Sequence, residues 1–175
     1  MATTLKHLDL GPKVNLCVEG LVLHNGRALM FKRSENSRHF PGVWVDPGGH
    51  IDDGEDPMTA IIREIFEETG VKVGPENVKL KAISTHYHHN MKETYLSFIF
   101  LAKIPDFQEA KKDDVEGQSE WIPIRKLLSM KKVFPPSKYY FDHVLNDTSG
   151  IMYVHATWNN GKLVKVNTKL VDLNG

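Results

Sequence analysis

One cysteine, Cys17, is all that these 175 residues contain, so no internal disulfide can brace the chain. A lone thiol fits a reducing compartment, and the first 13 residues carry no apolar run of the kind that opens a secretory signal. A cytoplasmic location is the expectation. No apolar stretch approaches the ~20 residues that cross a bilayer, which argues against a membrane partner. An excess of one charge is missing too, since 22 basic side chains meet 22 acidic ones for a formal net charge of zero. Broad adhesion to nucleic acid needs a positive surplus, so bulk nucleic acid is not an expected partner, whereas a small anion held in a local pocket is compatible. Repeats and low-complexity linkers are also absent. With 41% hydrophobic and 25% charged residues, the length suits a single domain, residues 1–175, with a core of its own.

What is present reads as mixed α and β. Residues 14–23 alternate, with Val14, Leu16 and Val18 against Asn15, Cys17 and Glu19, as a strand would. Asn25-Gly26 is a type I′ hairpin signal, and residues 28–32 form the returning strand. Residues 33–54 are rich in Gly, Pro and polar side chains and read mostly as loop. Strands are expected over 78–85 and 95–102 around a His-rich loop. Short helices are expected over 124–130 and 137–145. A last hairpin should join 151–158 to the alternating Val164, Val166, Thr168 and Leu170 through Asn160-Gly161. Hairpins with few βαβ units point to α/β (α+β) architecture, a mixed sheet sandwiched by helices.

The most informative stretch is Gly48 to Val71, GGHIDDGEDPMTAIIREIFEETGV. Asp56 can cap a helix, Pro57 suits its first position and Gly70 its end. At 100° per residue, Glu64, Glu67 and Glu68 share an arc of roughly 100°, with Met58, Ile62, Ile65 and Phe66 on the opposite, core-facing arc. A solvated face is the usual fate of an acidic helix. Here, however, Glu64 and Glu68 are like charges at i, i+4, Arg63 is the only cation, and acids crowd the last turn, where the macrodipole disfavours them. A bound divalent cation would relieve this, and hard oxygen ligands select Mg²⁺, Mn²⁺ or Ca²⁺ over Zn²⁺. Pro47-Gly48-Gly49 permits close backbone approach, so a main-chain carbonyl can join such a site, and Glu55 can reach back across the loop.

These residues resemble the Nudix signature G-x5-E-x7-REU-x-EE-x-GU, U being a bulky aliphatic. Here it runs Gly49, Glu55, Arg63-Glu64-Ile65, Glu67-Glu68, Gly70-Val71, with every fixed position filled. Chance agreement at the fixed positions is on the order of 10⁻⁸ per start point at typical residue usage. Upstream, Lys32-Arg33-Ser34 and Pro41-Gly42-Val43-Trp44 look like the approach to the box. Downstream, Glu116-Gly117-Gln118 and Glu120-Trp121 resemble the bacterial antimutator branch. The resemblance implies a Nudix-type α/β/α sandwich with an extra C-terminal β-hairpin, and a Mg²⁺- (or Mn²⁺-) dependent hydrolase that cuts a phosphoanhydride bond in a small nucleotide-like diphosphate. By the same resemblance Gly48, Glu64, Glu67, Glu68 and Glu116 are metal-site candidates, with Glu120 the fallback for Glu116. Glu64, Glu67, Arg63 and Glu116 are the catalytic candidates. Arg63 would orient the glutamates, and Gly49, Glu55 and Gly70 would shape the box. A non-catalytic Nudix module that binds nucleotides or proteins is the alternative, as is a dinucleoside polyphosphate hydrolase. The cysteine motif of the isoprenoid diphosphate isomerases, which share the fold, is not recognisable. Monomer and homodimer both stay open.

Weaker signals surround the box. His86 and His88 would share a strand face, but two ligands without a third rarely make a metal site, so substrate contact or plain surface is expected. Arg33, Trp44 and Tyr87 are candidates for touching substrate, although an aromatic beside a Pro-Gly loop is more often packing. Trp121 reads as core, and Cys17 as a small hydrophobe rather than a reactive thiol. The C-terminal hairpin would edge the substrate pocket or form a dimer contact.

Overall fold

The computed structural model describes residues 13–111 and 117–172, and in them nine strands join one mixed sheet. β1 (Lys13–His24) turns at Asn25 and Gly26, both at positive φ (43° and 73°), into β2 (Arg27–Arg33). Left-handed backbone at both positions is what an Asn-Gly type I′ turn supplies. The segment expected to be loop holds two short strands, β3 (Trp44–Val45) against β2 and β4 (Gly48–His50) against β1. Their pairing comes from tertiary neighbours, so no local alternation announces them. β5 (Val78–His88) and β6 (Glu93–Lys103) pair antiparallel. β5 is flanked by β6 on one edge and by a parallel β8 (Ile151–Asn159) on the other. Pairing on both edges carries the strand through His86 and His88, and the turn shrinks to His89–Lys92. A strand absent from the sequence reading, β7 (Gly117–Pro123), pairs with β2. β9 (Lys162–Val171) closes the hairpin with β8 through Asn160 and Gly161, at φ 49° and 71°.

Helices cover both faces of the sheet. α1 (Pro57–Thr69) begins where Asp56 accepts from the Met58 and Thr59 N–H groups, and ends at Gly70 in left-handed conformation, φ 73°. It packs through Ala60, Ile61 and Ile65 on Val18, Val22 and Phe100. On the opposite face, α2 (Ile124–Leu127), a 3₁₀ turn at Pro135–Tyr139 and α3 (Phe141–Leu145) gather Tyr140, Phe141 and Val144 over Leu21, Met30 and Ile99. Among the described residues no helix is long and apolar enough to cross a membrane.

The core face of α1 differs from the expected one. Ile65 is fully buried, Met58 and Ile62 are partly buried against the core, and Phe66 is 47% exposed, with the Lys72 ammonium 6.0 Å from its ring centre. With Ile65 at the centre of the buried arc, Ile61 lies about 40° to one side, Phe66 about 100° to the other, Glu68 about 60° away and Glu64 about 100°. The buried arc is therefore shifted toward the acidic residues. Two of the glutamates face protein rather than solvent, and Phe66 is left on the rim.

Ile61 is fully buried between helix and sheet. Ile61→Ala is expected to cost about 2–5 kcal/mol by loss of transfer energy and creation of a cavity, measurable as a lowered urea midpoint with an unchanged slope.

Candidate functional site

Arg63 organises the acidic helix. Its Nε and NH2 donate to the two oxygens of Glu55 at 3.0 and 2.8 Å, a bidentate fork. NH1 donates to Glu64 Oε1 at 2.8 Å and Glu67 Oε2 at 3.1 Å, and NH2 also reaches the His50 carbonyl at 3.0 Å. One cation thus holds three glutamates and the end of β4, which a planar guanidinium does and an ammonium cannot. The Glu55 carboxyl is held below the usual range chiefly by this bond, helped by the Asp52 N–H. Glu64, whose side chain is 14% exposed, is pushed above the usual range by burial, against the opposing pull of Arg63. Lys111 Nζ donates to the Glu67 carbonyl at 2.8 Å and Ser119 Oγ to that of Glu68 at 3.0 Å, satisfying last-turn carbonyls where α1 needs partners.

The loop before the helix meets this cluster through glycine. A Cβ on Gly49 would lie 2.5 Å from Glu64 Oε1, and one on Gly48 would collide with the Val18 carbonyl oxygen. The Gly48 N–H donates to Glu68 Oε2 at 2.9 Å. Glu64 and Glu68 therefore lean onto β4, with Glu68 held by backbone and Glu64 filling the space a side chain would take. Among the described residues no three His, Cys, Asp or Glu side chains form a complete metal cluster; Arg63 draws Glu64 and Glu67 to itself. The donor set of carboxylates beside a glycine backbone nevertheless fits a hard divalent cation, and Glu64 can lie over Gly49 only because no Cβ is there.

A cavity of about 460 Å³ opens beside the two glycines. Its walls include Cys17, Glu19, Arg33, His39, Asp46 and His50, with Phe40, His86, His88, Tyr95 and Phe134 supplying rings. The polar alternates of β1, Cys17 and Glu19, face this cavity, while Val14 and Leu16 are about half exposed, 50% and 45%. At the inner wall the buried Tyr140 hydroxyl lies 2.6 Å from Asp46 Oδ2, 2.8 Å from Glu19 Oε2 and 3.0 Å from Ser137 Oγ. One phenolic proton cannot serve both carboxyl oxygens, so one of the two acids carries a proton of its own. Burial and the Glu19 charge push Asp46 up to about 8, and burial raises Glu19 as well. Burial, with Glu19 and Glu64 nearby, also pushes the Cys17 thiol up to about 12, which makes it a poor nucleophile.

His86 is locked by its partners. Trp158 Nε1–H donates to His86 Nδ1 at 3.3 Å, so the proton of the neutral ring is on Nε2, which gives it to Ser84 Oγ at 2.7 Å. Both nitrogens are used, which removes His86 as a metal ligand. The Trp158 ring also packs on His88, Phe134 and Phe40 at 5.5, 5.9 and 5.4 Å between centres.

A model of the NUDIX domain matches residues 17–144, well over half of the chain. The chain belongs to the Nudix family. A 54-residue stretch is 41% identical to the m7GpppN-mRNA hydrolase NUDT17 of Danio rerio, covering 31% of this chain and 18% of that protein. Over 103 residues the chain is 25% identical to diphosphoinositol polyphosphate phosphohydrolase 3-beta of Bos taurus, covering 58% and 60% of the two. It thus spans less than two thirds of these curated relatives. In fold, it resembles the MutT protein of Bacillus halodurans, with a TM-score of 0.75, 24% identity and coverage of 89% and 97%. It also resembles the NUDIX domain of Shewanella oneidensis NrtR, crystallised with ADP ribose, with a TM-score of 0.60, 17% identity and coverage of 78% and 88%.

Of the Nudix box residues, the structure brings Gly48, Gly49, Glu55, Arg63, Glu64 and Glu68 together around one guanidinium and one strand end. Glu67 shares that guanidinium from the solvent side, its side chain 56% exposed. Glu116 lies outside the described residues. Its fallback, Glu120, is 4.0 Å from Lys126 and lines a separate depression with Arg27 and Trp121. Arg33 lines the main cavity. Trp44 instead packs beside the core on the α3 side, and Tyr87, alternating with His86 and His88, turns away to meet His89 at 4.8 Å. The sequence reading missed Asp46, Tyr140 and the cavity role of Glu19. An acid directly between Val18 and Gly20 in an apolar strand was the available signal for Glu19; Asp46 and Tyr140 are joined to it only by the fold.

The His86 pKa is lowered from 6.5 to about 4 by burial first, with His88 and His155 adding to it. The neutral ring stabilises the fold fully above 6.5, and that contribution is lost as pH falls toward 4, where the unfolded chain takes up the proton. Thermal melting of His86→Gln is accordingly expected to decline less steeply than that of the parent between pH 6.5 and 4, whatever its absolute Tm.

Proposed function

We propose that this chain is a divalent-cation-dependent Nudix hydrolase that uses water to cut a phosphoanhydride bond in a small nucleotide-like diphosphate. The observation that carries the reading is the Arg63 fork, which fixes Glu55, Glu64 and Glu67 while the Gly48 N–H fixes Glu68. Holding several carboxylates together costs electrostatic energy, and a bound cation offsets that cost. Relatives in sequence are named as a hydrolase and a phosphohydrolase, and a neighbour in fold was crystallised with ADP ribose.

In this reading Glu64, Glu68 and the Gly48 carbonyl hold Mg²⁺ or Mn²⁺, with Glu67 and Glu116 completing the site. When bound, such an ion neutralises phosphate oxygens and lowers the pKa of a coordinated water. The protein's own contribution is placement. Arg63 keeps Glu64 and Glu67 from splaying apart, and Glu55 keeps Arg63 in place. The glycines let a phosphate approach the backbone, and one of the glutamates takes the proton released by the attacking water, an effect typically worth about 10²–10⁴-fold. Arg33, on the cavity wall, faces the anionic substrate. The domain acts as one unit over 1–175, in the cytoplasm, on a small molecule rather than on a membrane or bulk nucleic acid, as a monomer or a homodimer.

A panel of nucleoside triphosphates, dinucleoside polyphosphates and nucleoside diphosphate sugars, assayed for released phosphate and pyrophosphate, tests this. Turnover of at least one member is expected with Mg²⁺ or Mn²⁺ and none with chelator. Glu68→Gln should lower kcat by roughly 10²-fold or more while the protein still melts cooperatively. Tight nucleotide binding without turnover, unchanged in Glu68→Gln, would point instead to a non-catalytic binding module.

A further inference from the structure

Asp46 is 4% exposed, and its Oδ1 is the one buried side-chain oxygen or nitrogen without a hydrogen-bond partner among the described residues. A buried acceptor left unpaired is costly to the fold, and Asp46 lines the cavity beside Gly48 and Gly49. Glu19, tied to the same Tyr140 hydroxyl, lines it too. We propose that Asp46 and Glu19 are specificity determinants, accepting N–H donors from the part of the substrate beyond the diphosphate, and that this part is a planar, uncharged group of nucleobase type rather than a polyphosphorylated ring. The proposal rests on the hydrolase reading above and names the substrate class of that same site.

Three observations converge on it. Asp46 is three residues from Gly49, no more than about 10 Å of extended chain, so a ligand with its diphosphate at the glycines reaches the acid pair with its next group. Phe40, His88 and Phe134 line the cavity and pack on Trp158, His88 and Phe134 nearly parallel to its ring and Phe40 edge-on, and a cluster of aromatic rings suits a planar group. Among the described residues that line the cavity, Arg33 is the only lysine or arginine, beside the two acids. A ring bearing many phosphates would find a single guanidinium to pair with, beside an acid pair that offers it no positive charge. Trp158 comes from the C-terminal hairpin, beyond residues 17–144, so a segment outside the matched domain shapes this wall.

The test compares the parent chain with Asp46→Asn and Glu19→Gln, each checked for cooperative melting, on two kinds of probe. One is the set of nucleoside triphosphates with Mg²⁺; the other is a diphosphoinositol polyphosphate with Mg²⁺. Dissociation constants for unreactive methylene-bridged nucleotides are measured in parallel, so selectivity is read even without turnover. The parent is expected to favour at least one nucleotide over the inositol probe by about 10²-fold in kcat/KM. Asp46→Asn should raise KM and Kd for that nucleotide on the order of 10-fold, unequally among the bases, with kcat changed much less. Equal or better use of the inositol probe by the parent, or a uniform change across all bases in Asp46→Asn, would overturn the proposal. Base-selective binding of the methylene analogues with no turnover of any probe would support the acid pair and refute only the hydrolase reading.

Discussion

A single guanidinium governs the acidic end of α1. Without Arg63, residues Glu55, Glu64 and Glu67 would repel one another, and Glu67 sits in the last helical turn, which already disfavours negative charge. With it, the three carboxylates take four hydrogen bonds from one plane, and a fifth ties them to the His50 carbonyl on β4. Lysine in that place would satisfy one or two of these bonds and leave the remaining carboxylates to splay. The helix, the loop before it and the strand end are consequently positioned by one side chain. The rest of the site inherits its geometry from that arrangement.

The sheet supplies the second constraint. β4 pairs with β1 so that Glu19 is opposite Gly48 and Cys17 opposite His50. This register brings the polar side of β1 to the cavity next to the glycines. The same sheet extends through β6 and β5 to β8, so that Trp158 is opposite His88 and its ring backs His86, His88, Phe134 and Phe40. Two glycines, an acidic inner wall and an aromatic flank thus come from separate stretches of chain, joined only by strand pairing. A cavity with two glycines and one arginine on its walls, and buried acids and aromatic rings within, suits a ligand that is itself divided between polar groups and flat apolar surface.

How much of this could be read from residues alone depends on the range of the forces involved. The cap at Asp56, the stop at Gly70 and both Asn-Gly turns are local signals, and the structure places them where the sequence did. The box from Gly49 to Val71 was equally legible, because helical spacing alone brings Glu64, Glu67 and Glu68 near one another. Phe66 escaped because a helical wheel shows which residues share a face but not where the sheet lies against it. β3, β4 and β7 escaped because short strands are stabilised by their partners more than by their own composition. The contact of Glu19, Asp46 and Tyr140 spans more than ninety residues of chain, beyond any periodicity. Trp44 and Tyr87 drew notice as aromatics near loops, and the fold turned both away from the cavity.

The central claim is that the inward-facing carboxylates of α1, held by Arg63 and by the Gly48 N–H, receive a divalent cation. The most direct measurement is nuclear magnetic resonance of the backbone amides during titration with Mn²⁺, whose unpaired electrons broaden nearby signals. The account predicts that Gly48, Gly49, Glu64 and Glu68 fade first, at substoichiometric ion, that Mg²⁺ in excess restores them, and that the amides of β9 are untouched. Broadening that begins elsewhere, or that spreads evenly over the acidic surface and leaves those four signals no weaker than their neighbours, would contradict it.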